Sequence, residues 1–586
     1  MHHSWSGEIS VPGQRTPAIP LRWVALSAIT ALAAALRLID LGSVRLDPFY
    51  DAAVRSMGLS WHNFFLGAYE PGGSVSIDKP PVDLWLQVAS VKLLGWGSVS
   101  LKLPEALAGT VSVPLLYAAV RRPFGTLAAL VAAAALAVLP IEVITARSDT
   151  MDAVMMMLLV VALLMVVRAC EPLRAGESSD GHTRTLWLLG AAGALGLAFN
   201  VKLLESLVAL PGLFVLACLG MPRATGGTRR TARMRVVTQF GAAAVVYVVV
   251  ALSWLSATLL FPAHERPYAI GSTNGSAWNA AFVFNGSERL TGKTMEVAPA
   301  TSSPSGGHTS RASTRGTPPI VPPSPTRLLA LHGQLPARWL GWEALAALLL
   351  GAPVVISMAR RGAGRLQRAS AAGMFVWLLT GIVLFSAMAR LHPRYVESFT
   401  PAVAGMFGIG VAWVAGARGP VRLLAVPLTA LLVLPLAASI EAVGDSTSDA
   451  GNVGALPSAE QRALSGYLRL HQAGAHYELA ATSATSIASL IVQDGRPVVM
   501  LTSYNGLPLT SVAQLRSLSS RGQVRYALLD SSCGPRTATR SPGCAPAARW
   551  VRAHGTDVSL AAGLPTHGVL WRLPCPSCAR ARNQRG

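Results

Sequence analysis

Apolar runs recur along the chain at the length needed to cross a hydrocarbon core of about 30 Å, roughly 17–25 residues each. Polar stretches separate them near 20–41, 100–120, 125–141, 150–168, 186–201, 203–220, 237–261, 340–359, 370–389, 396–416 and 421–440, which predicts a polytopic α-helical membrane protein of about eleven spans. The run 186–220 is long enough for two of them, broken at "FNVKLLES". The stretch 82–95 is apolar but short, so an interfacial or re-entrant helix is expected there. The first run exceeds a signal-peptide core of roughly 7–15 residues and no small-residue cleavage site follows it, so it is read as a retained span.

Arginines fall in every second loop. They stand at Arg121 and Arg122, at Arg168, Arg174 and Arg184, and in the dense set Arg223, Arg229, Arg230, Arg233 and Arg235. They recur at Arg360, Arg361, Arg365 and Arg368, then at Arg418 and Arg422. The positive-inside rule places these loops, with the tail 1–19, in the cytoplasm of a multi-pass plasma-membrane protein. The loops 42–99 and 262–339, the "ARLHPR" turn and everything after the last span then face outward, leaving 20–445 as the membrane domain. Within the second large loop, residues 296–326 are Ser, Thr, Pro and Gly with little to bury, and read as a disordered insertion.

Hydropathy falls from about residue 450, and residues 450–586 read as a soluble extracytoplasmic α/β domain. "SAEQRALSGYLRLHQ" after a Ser cap and "VAQLRSLSSRG" have helical spacing, whereas "YELAAT", "PVVML", "QVRYALL" and "GVLWRL" look like strands. Four of the six cysteines lie here, Cys533, Cys544, Cys575 and Cys578. Outside the cytoplasm two disulfides are expected; the spacing of Cys533 and Cys544 is a poor match to a zinc site. Cys170 and Cys218 fall at membrane ends.

Composition agrees with the pattern: 52% of the 586 residues are hydrophobic and 13% charged, against about 25% charged in an ordinary soluble domain. The net charge of +21 comes mostly from short Arg clusters between apolar runs. That distribution is a topology signal, and nucleic acid is not expected as a partner.

The outward tips carry the candidate chemistry. "GSVRLDPFYDAAVRSM" ends the first span with Asp47 and Asp51, and the same loop holds His62, Asn63, Asp78 and Lys79. Pro80 and Pro81 keep "DKPP" extended, because proline disfavours helix in the residue before it. The next outward tips bring Asp152, then Lys202, then His392 and Arg394. Acids at span ends are costly unless they face a polar cavity, although many such residues only cap helices and pair with one another. Together they suggest an outward polar cavity whose carboxylates accept a proton from a hydroxyl and whose cations hold a phosphate.

Three segments give this chemistry a family likeness. "LDPFYDAAVRSM", "SWHNFFLGAYEPGGSVSIDKPPVDLWLQ" and "LKLPEALAGTVSVPLLYAAVRRPFG" resemble bacterial membrane glycosyltransferases of the GT-C class, family-39 type, related to protein O-mannosyltransferases and lipid A aminoarabinose transferases. "ARSDTMDAVMMM", "RPYAIGSTNGSAWNAAFVFNGSERLTG", "LHPRYVESFTPAVAG" and the tail from "YELAATSA" to "GQVRYALL" resemble an actinobacterial-type branch, and the likeness covers most of residues 20–530. It implies a polyprenyl-phosphate-linked sugar as donor and a hydroxyl acceptor outside the cytoplasm, with no cofactor required. It implies Asp47 as the base, with Asp51 in reserve because Asp47-Pro48 replaces the acidic pair or Asn-Glu common in relatives. Asp152 is implied as a second active-site acid and Lys79 as a phosphate contact, with His392 and Arg394 near the donor. Asp78, His62, Asn63 and Lys202 are candidates for holding the donor. Two readings of another class stand beside it: a polyprenyl-lipid transporter or flippase, and a non-catalytic membrane protein that binds cell-wall glycan. No ligand spacing demands a metal ion.

Overall fold

A computed structural model describes residues 20–172, 181–222, 229–292, 322–329, 335, 337–360, 362–483, 486–534 and 544–575. The tail 1–19, Cys578 and most of the Ser/Thr/Pro-rich stretch 296–326 lie outside them. Among the described residues nine apolar helical segments are long enough to cross a membrane. Two of these are about twice the length of one crossing, Ser98–Val138 with 41 residues and His182–Gly220 with 39, and each covers two of the eleven spans expected.

Both long segments double back. In the first, α5 (Ser98–Val138), Gly125 has φ 81° and ψ −174°, a backbone open to glycine alone at little cost. The ends of α5 meet the same end of α1 (Leu21–Leu38): Arg37, in the last turn of α1, donates to the Ala137 carbonyl at 3.0 Å, and Lys102 Nζ donates to the Val44 carbonyl at 2.7 Å. A straight helix of that length would carry its ends about 60 Å apart. The second segment comprises α8 (Gly181–Lys202), a 3₁₀ stretch Leu203–Ala209 and α9 (Leu210–Gly220). Its two outer ends sit beside the close of α7 (Asp152–Cys170), with Arg184 bonded to the Glu171 carbonyl and Gly220 against Cys170. Its turn lies instead at the start of α7, where Lys202 pairs with Asp152.

Close helix approaches rest on small residues, as is usual in membranes. At Gly109 of α5 an added methyl group would lie 2.7 Å from Ala146 Cβ and 2.8 Å from Arg37 Nε. Ala146 ends a short buried helix, Pro140–Ala146, that feeds the turn before α7. The N-terminal amides of α7, at Ala153 and Val154, are capped by the buried carboxylate of Glu105 at 2.8 and 3.1 Å. Such caps compensate donors that the bilayer leaves without water.

On the rim shared by Lys102, Ala137 and Asp152, the loop after α1 forms short helices. These include Pro48–Met57, Trp61–Leu66 and Val82–Leu94, the last being the short apolar stretch expected at 82–95. Strand β1 (Val75–Ser76) pairs in parallel with β2 (Tyr268–Ala269) from the later loop.

Beyond the last apolar segment, β3 (Ala480–Ala481), β4 (Val499–Met500), β5 (Tyr526–Leu528), β6 (Thr556–Asp557) and β7 (Leu570–Arg572) form a mixed sheet ordered β4-β3-β5-β7-β6. The four expected strand segments are all in it; β6, only two residues long, carries no alternation a sequence reading can use. Helix Ser458–His471 starts after Pro457, so Ser458 is its first residue and not its cap. Helix Val512–Ser520 does carry a capping box of Ser511 and Gln514. Cys533 and Cys544 are joined in a disulfide. The sheet region docks on the rim: Val498 N donates to Glu70 Oε2 at 3.3 Å, and Arg45 donates to the Gly451 carbonyl at 2.9 Å.

Candidate active site

Asp47 caps helix Pro48–Met57, its Oδ1 accepting the Phe49 N–H at 3.1 Å. Proline at the first helical position suits this start, since its missing N–H would be unpaired there. Oδ2 of Asp47 accepts the Gly451 N–H at 2.8 Å, and the Asp47 N–H donates to Asp149 Oδ2 at 2.8 Å. Two N–H donors and a helix N-terminus suit an ionised carboxylate.

One turn on, Asp51 is buried and faces Asp149. Burial, then the charges of Asp149 and Asp47, push the Asp51 carboxyl well above its usual range, with Lys102 opposing. Burial and the Asp47 charge raise Asp149 to about 7, although backbone N–H bonds hold it down. Two carboxyls so placed share a proton near neutral pH. Asp47 is thus the acid of the three whose bonding best suits a standing charge.

Beside this triad four cations converge. Lys79 Nζ donates to both oxygens of Asp78, at 2.9 and 2.8 Å, and lies 5.9 Å from the Tyr50 ring centroid. Arg289 approaches Asp78 at 3.8 Å, donates to Asn285 Oδ1 at 3.1 Å and stands 5.8 Å from the Tyr395 ring. Lys202 Nζ lies 4.9 Å from that same ring and is ion-paired with Asp152. Arg394 approaches Asp152 at 3.9 Å and binds the Asp449 carboxylate at 3.0 Å. Each interaction of cation and aromatic face is worth about 0.5–2 kcal/mol.

The His392 ring, 5.2 Å from Tyr395, registers the sum of these charges. Its pKa is driven well below the usual value by burial, then by Arg394, Arg289, Lys202 and Lys79. Asp78 shows the converse: burial raises it, but Lys79 and Arg289 outweigh that and hold it low. A neutral imidazole among four cations marks a field suited to a phosphate, which would accept bonds from several of them at once.

Asp47, Asp51, Asp78, Lys79, Asp152, Lys202, His392 and Arg394 therefore share one rim. His62 and Asn63 do not join them. His62 lies against the Glu265 carbonyl at 3.1 Å, and Asn63 uses its amide on the Ser56 and Pro71 carbonyls at 3.3 and 3.0 Å. Asn63 thus stitches the first loop and His62 ties it to the later one, apart from the cation cluster. Asp152 is fully buried between Lys202 and Arg394 and orients cations. Arg289, Tyr395, Tyr50 and Asp449 were not singled out as site residues; Arg289 lies in the quoted "NGSERLTG", and Tyr395 directly follows Arg394. Among the described residues no cluster of His, Cys, Asp and Glu has metal-binding geometry.

A helical bundle that doubles back twice and gathers carboxylates and cations on one rim has the architecture of the GT-C membrane glycosyltransferases, and the chain shares that fold. Residues 78–254 match the family described as "Dolichyl-phosphate-mannose-protein mannosyltransferase", and residues 464–554 match "Putative mannosyltransferase YkcB-like, C-terminal". Two Bacillus subtilis (strain 168) proteins are similar. "Putative mannosyltransferase YycA" is 24% identical over 88% of this chain and 91% of its own length. "Putative mannosyltransferase YkcB" is 34% identical over 42% of this chain and 32% of its own length. In fold the chain is similar to ArnT from Cupriavidus metallidurans in the apo state, with TM-score 0.56 and 16% identity over 94% of this chain and 97% of that one. The same ArnT bound to undecaprenyl phosphate gives 0.53 and 18% over 89% and 94%. Archaeoglobus fulgidus AglB, in complex with an inhibitory peptide and a dolichol-phosphate, gives 0.52 and 14% over 92% and 72%.

Proposed function

We propose that the chain moves a sugar from a polyprenyl-phosphate donor to the hydroxyl of an acceptor on the outer side of the plasma membrane. The observation that carries this reading is the convergence of Lys79, Lys202, Arg289 and Arg394 around His392 and Tyr395, beside the capped carboxylate of Asp47. The lipid phosphates bound by the ArnT and AglB neighbours support a donor of the same class.

In the proposed step the acceptor oxygen attacks the anomeric carbon and its proton passes to Asp47. The bond from that carbon to the phosphate oxygen breaks, and the lipid phosphate leaves with both electrons of that bond, inverting the anomeric centre. Preorganised cations stabilise the charge that develops on the leaving phosphate. The carboxylate removes a proton from a hydroxyl that attacks a carbon of oxocarbenium character. The Asp51–Asp149 pair positions Asp47 through the bond from the Asp47 N–H to Asp149. The alternation of arginine-rich loops supports an outward-facing rim.

The test uses purified protein in lipid nanodiscs with a panel of radiolabelled polyprenyl-phosphate sugars. One donor should be consumed, with release of polyprenyl phosphate and, with acceptor present, a product of inverted anomeric configuration. Donor exchange across vesicles without cleavage would favour a transporter instead.

A further inference from the structure

A second cavity, of about 690 Å³, lies between the first and later rim loops and the edge of the C-terminal sheet. That volume falls within the roughly 300–1,000 Å³ of small-molecule sites. Its chemistry is the opposite of the catalytic rim's. Among its lining residues the single formal charge is Arg266, whose guanidinium donates to the Phe261 and Leu259 carbonyls at 2.7 and 3.1 Å.

The rest of the wall is neutral. Trp254, Tyr268 and Tyr477 supply aromatic surface, and Ser74, Ser76 and Ser517 supply hydroxyls. Trp254 and Tyr268 have already committed their polar tips, to the Phe65 carbonyl at 2.8 Å and the Ser272 carbonyl at 2.9 Å, so they present chiefly ring surface. Among the described residues the side chain of Ser76, which is 3% exposed, forms no hydrogen bond. Edge strand β4 closes the opposite side through Val499 and Met500.

We infer that this cavity binds a neutral carbohydrate, the glycan portion of the acceptor. Aromatic faces complement the C–H surface of a sugar ring, and neutral hydroxyls match its O–H groups in both donor and acceptor sense. An anionic ligand would find one partly bonded guanidinium, Arg266, and no cluster of cations here, and a cationic ligand no carboxylate. Ser76 in the cavity wall and Asp78 at the rim are two residues apart, at most about 7 Å of extended chain, so a short oligosaccharide seated here reaches the rim with its terminal hydroxyl. This inference rests on the transferase reading above, and the experiment separates the two.

Full-length protein in nanodiscs is titrated with linear neutral oligosaccharides of two to four hexoses and read by saturation-transfer difference NMR. Ser517→Trp and Ser74→Trp fill the cavity from opposite walls. Saturation transfer is expected in the wild type, with binding at least about tenfold weaker in each variant. Hydrolysis of the donor without acceptor should be unchanged in both. Absence of transfer from every neutral oligosaccharide at millimolar concentration, or transfer that survives both substitutions, overturns the inference. So does preferential binding of acidic oligosaccharides or of peptides. In each of those cases intact donor hydrolysis leaves the transferase reading standing; its loss in the wild type would fall on that reading instead.

Discussion

The carboxylate of Asp47 accepts the N–H of Gly451 at 2.8 Å, tying the acid that ends the first span to the segment that follows the last one. The rim is closed by chain from both ends of the membrane domain. Arg45, two residues before Asp47, makes the matching bond to the Gly451 carbonyl at 2.9 Å. Arg45→Ala should therefore lower turnover through misplacement of Asp47, with donor affinity nearly unchanged. A split between kcat and the donor KM in a nanodisc assay checks this.

The four cations should act on the leaving phosphate. Arg289→Ala removes a group that touches both Asp78 and Tyr395, and should weaken binding of polyprenyl phosphate itself by about tenfold or more, the scale of a charge-assisted bond. Tyr395→Leu takes away the ring between Lys202 and Arg289 and should cost about 0.5–2 kcal/mol in the same measurement. Direct binding of the lipid phosphate by native mass spectrometry reads both effects without catalysis.

Acidity at the rim should appear in the stability profile. Asp149 is raised to about 7 in the folded protein by burial and the Asp47 charge, against about 3.9 in an unfolded chain. Between those values the folded state holds the extra proton, so this group's contribution to stability is present at low pH and fades as pH rises through the window. Asp149→Asn, which keeps an acceptor for the Asp47 N–H, should flatten the fall in melting temperature between about pH 4 and 7. Thermal melts in detergent across that range decide it.

Gly109 sits where α5 meets Arg37 and Ala146, with no room for a methyl group. Gly109→Ala should destabilise by about 1–3 kcal/mol through overpacking. The same change at Gly193, which has open space around it, should be neutral or slightly stabilising, since alanine outranks glycine in a helix. Paired melting curves distinguish them.

Much of the fold was legible because each span carries its own signal. "RRPFG" and "FNVKLLES" already mark the places where the two long segments turn. Asp47, Lys79, Asp152, Lys202, His392 and Arg394 were visible as ionisable groups at span ends or in the outward loops, where burial demands a reason. Arg289 was harder to see, since it is placed by the π-helical turn Ala280–Ser287, which has no sequence signature of its own. Asp449 sits in a stretch, "DSTSDAGN", that reads as a linker until the Arg394 contact is known. His62 and Asn63 show the reverse case: polar residues in a loop suggest a ligand, and here backbone carbonyls of that loop and its neighbour accept their bonds. Residue type and position do not distinguish a group that holds a loop from one that holds a substrate.

In the proposed mechanism Asp47 takes the proton from the acceptor while Asp51 stays protonated against Asp149. This assignment is tested by measuring donor turnover in nanodiscs for the wild type, Asp47→Asn and Asp51→Asn, with lipid-phosphate binding followed in parallel. Asp47→Asn should lower turnover by about 10²–10⁴ with binding retained, the range for loss of a general base, while Asp51→Asn keeps most of its activity. Loss confined to Asp51→Asn would move the base one helical turn along, and full turnover in both variants would contradict the account.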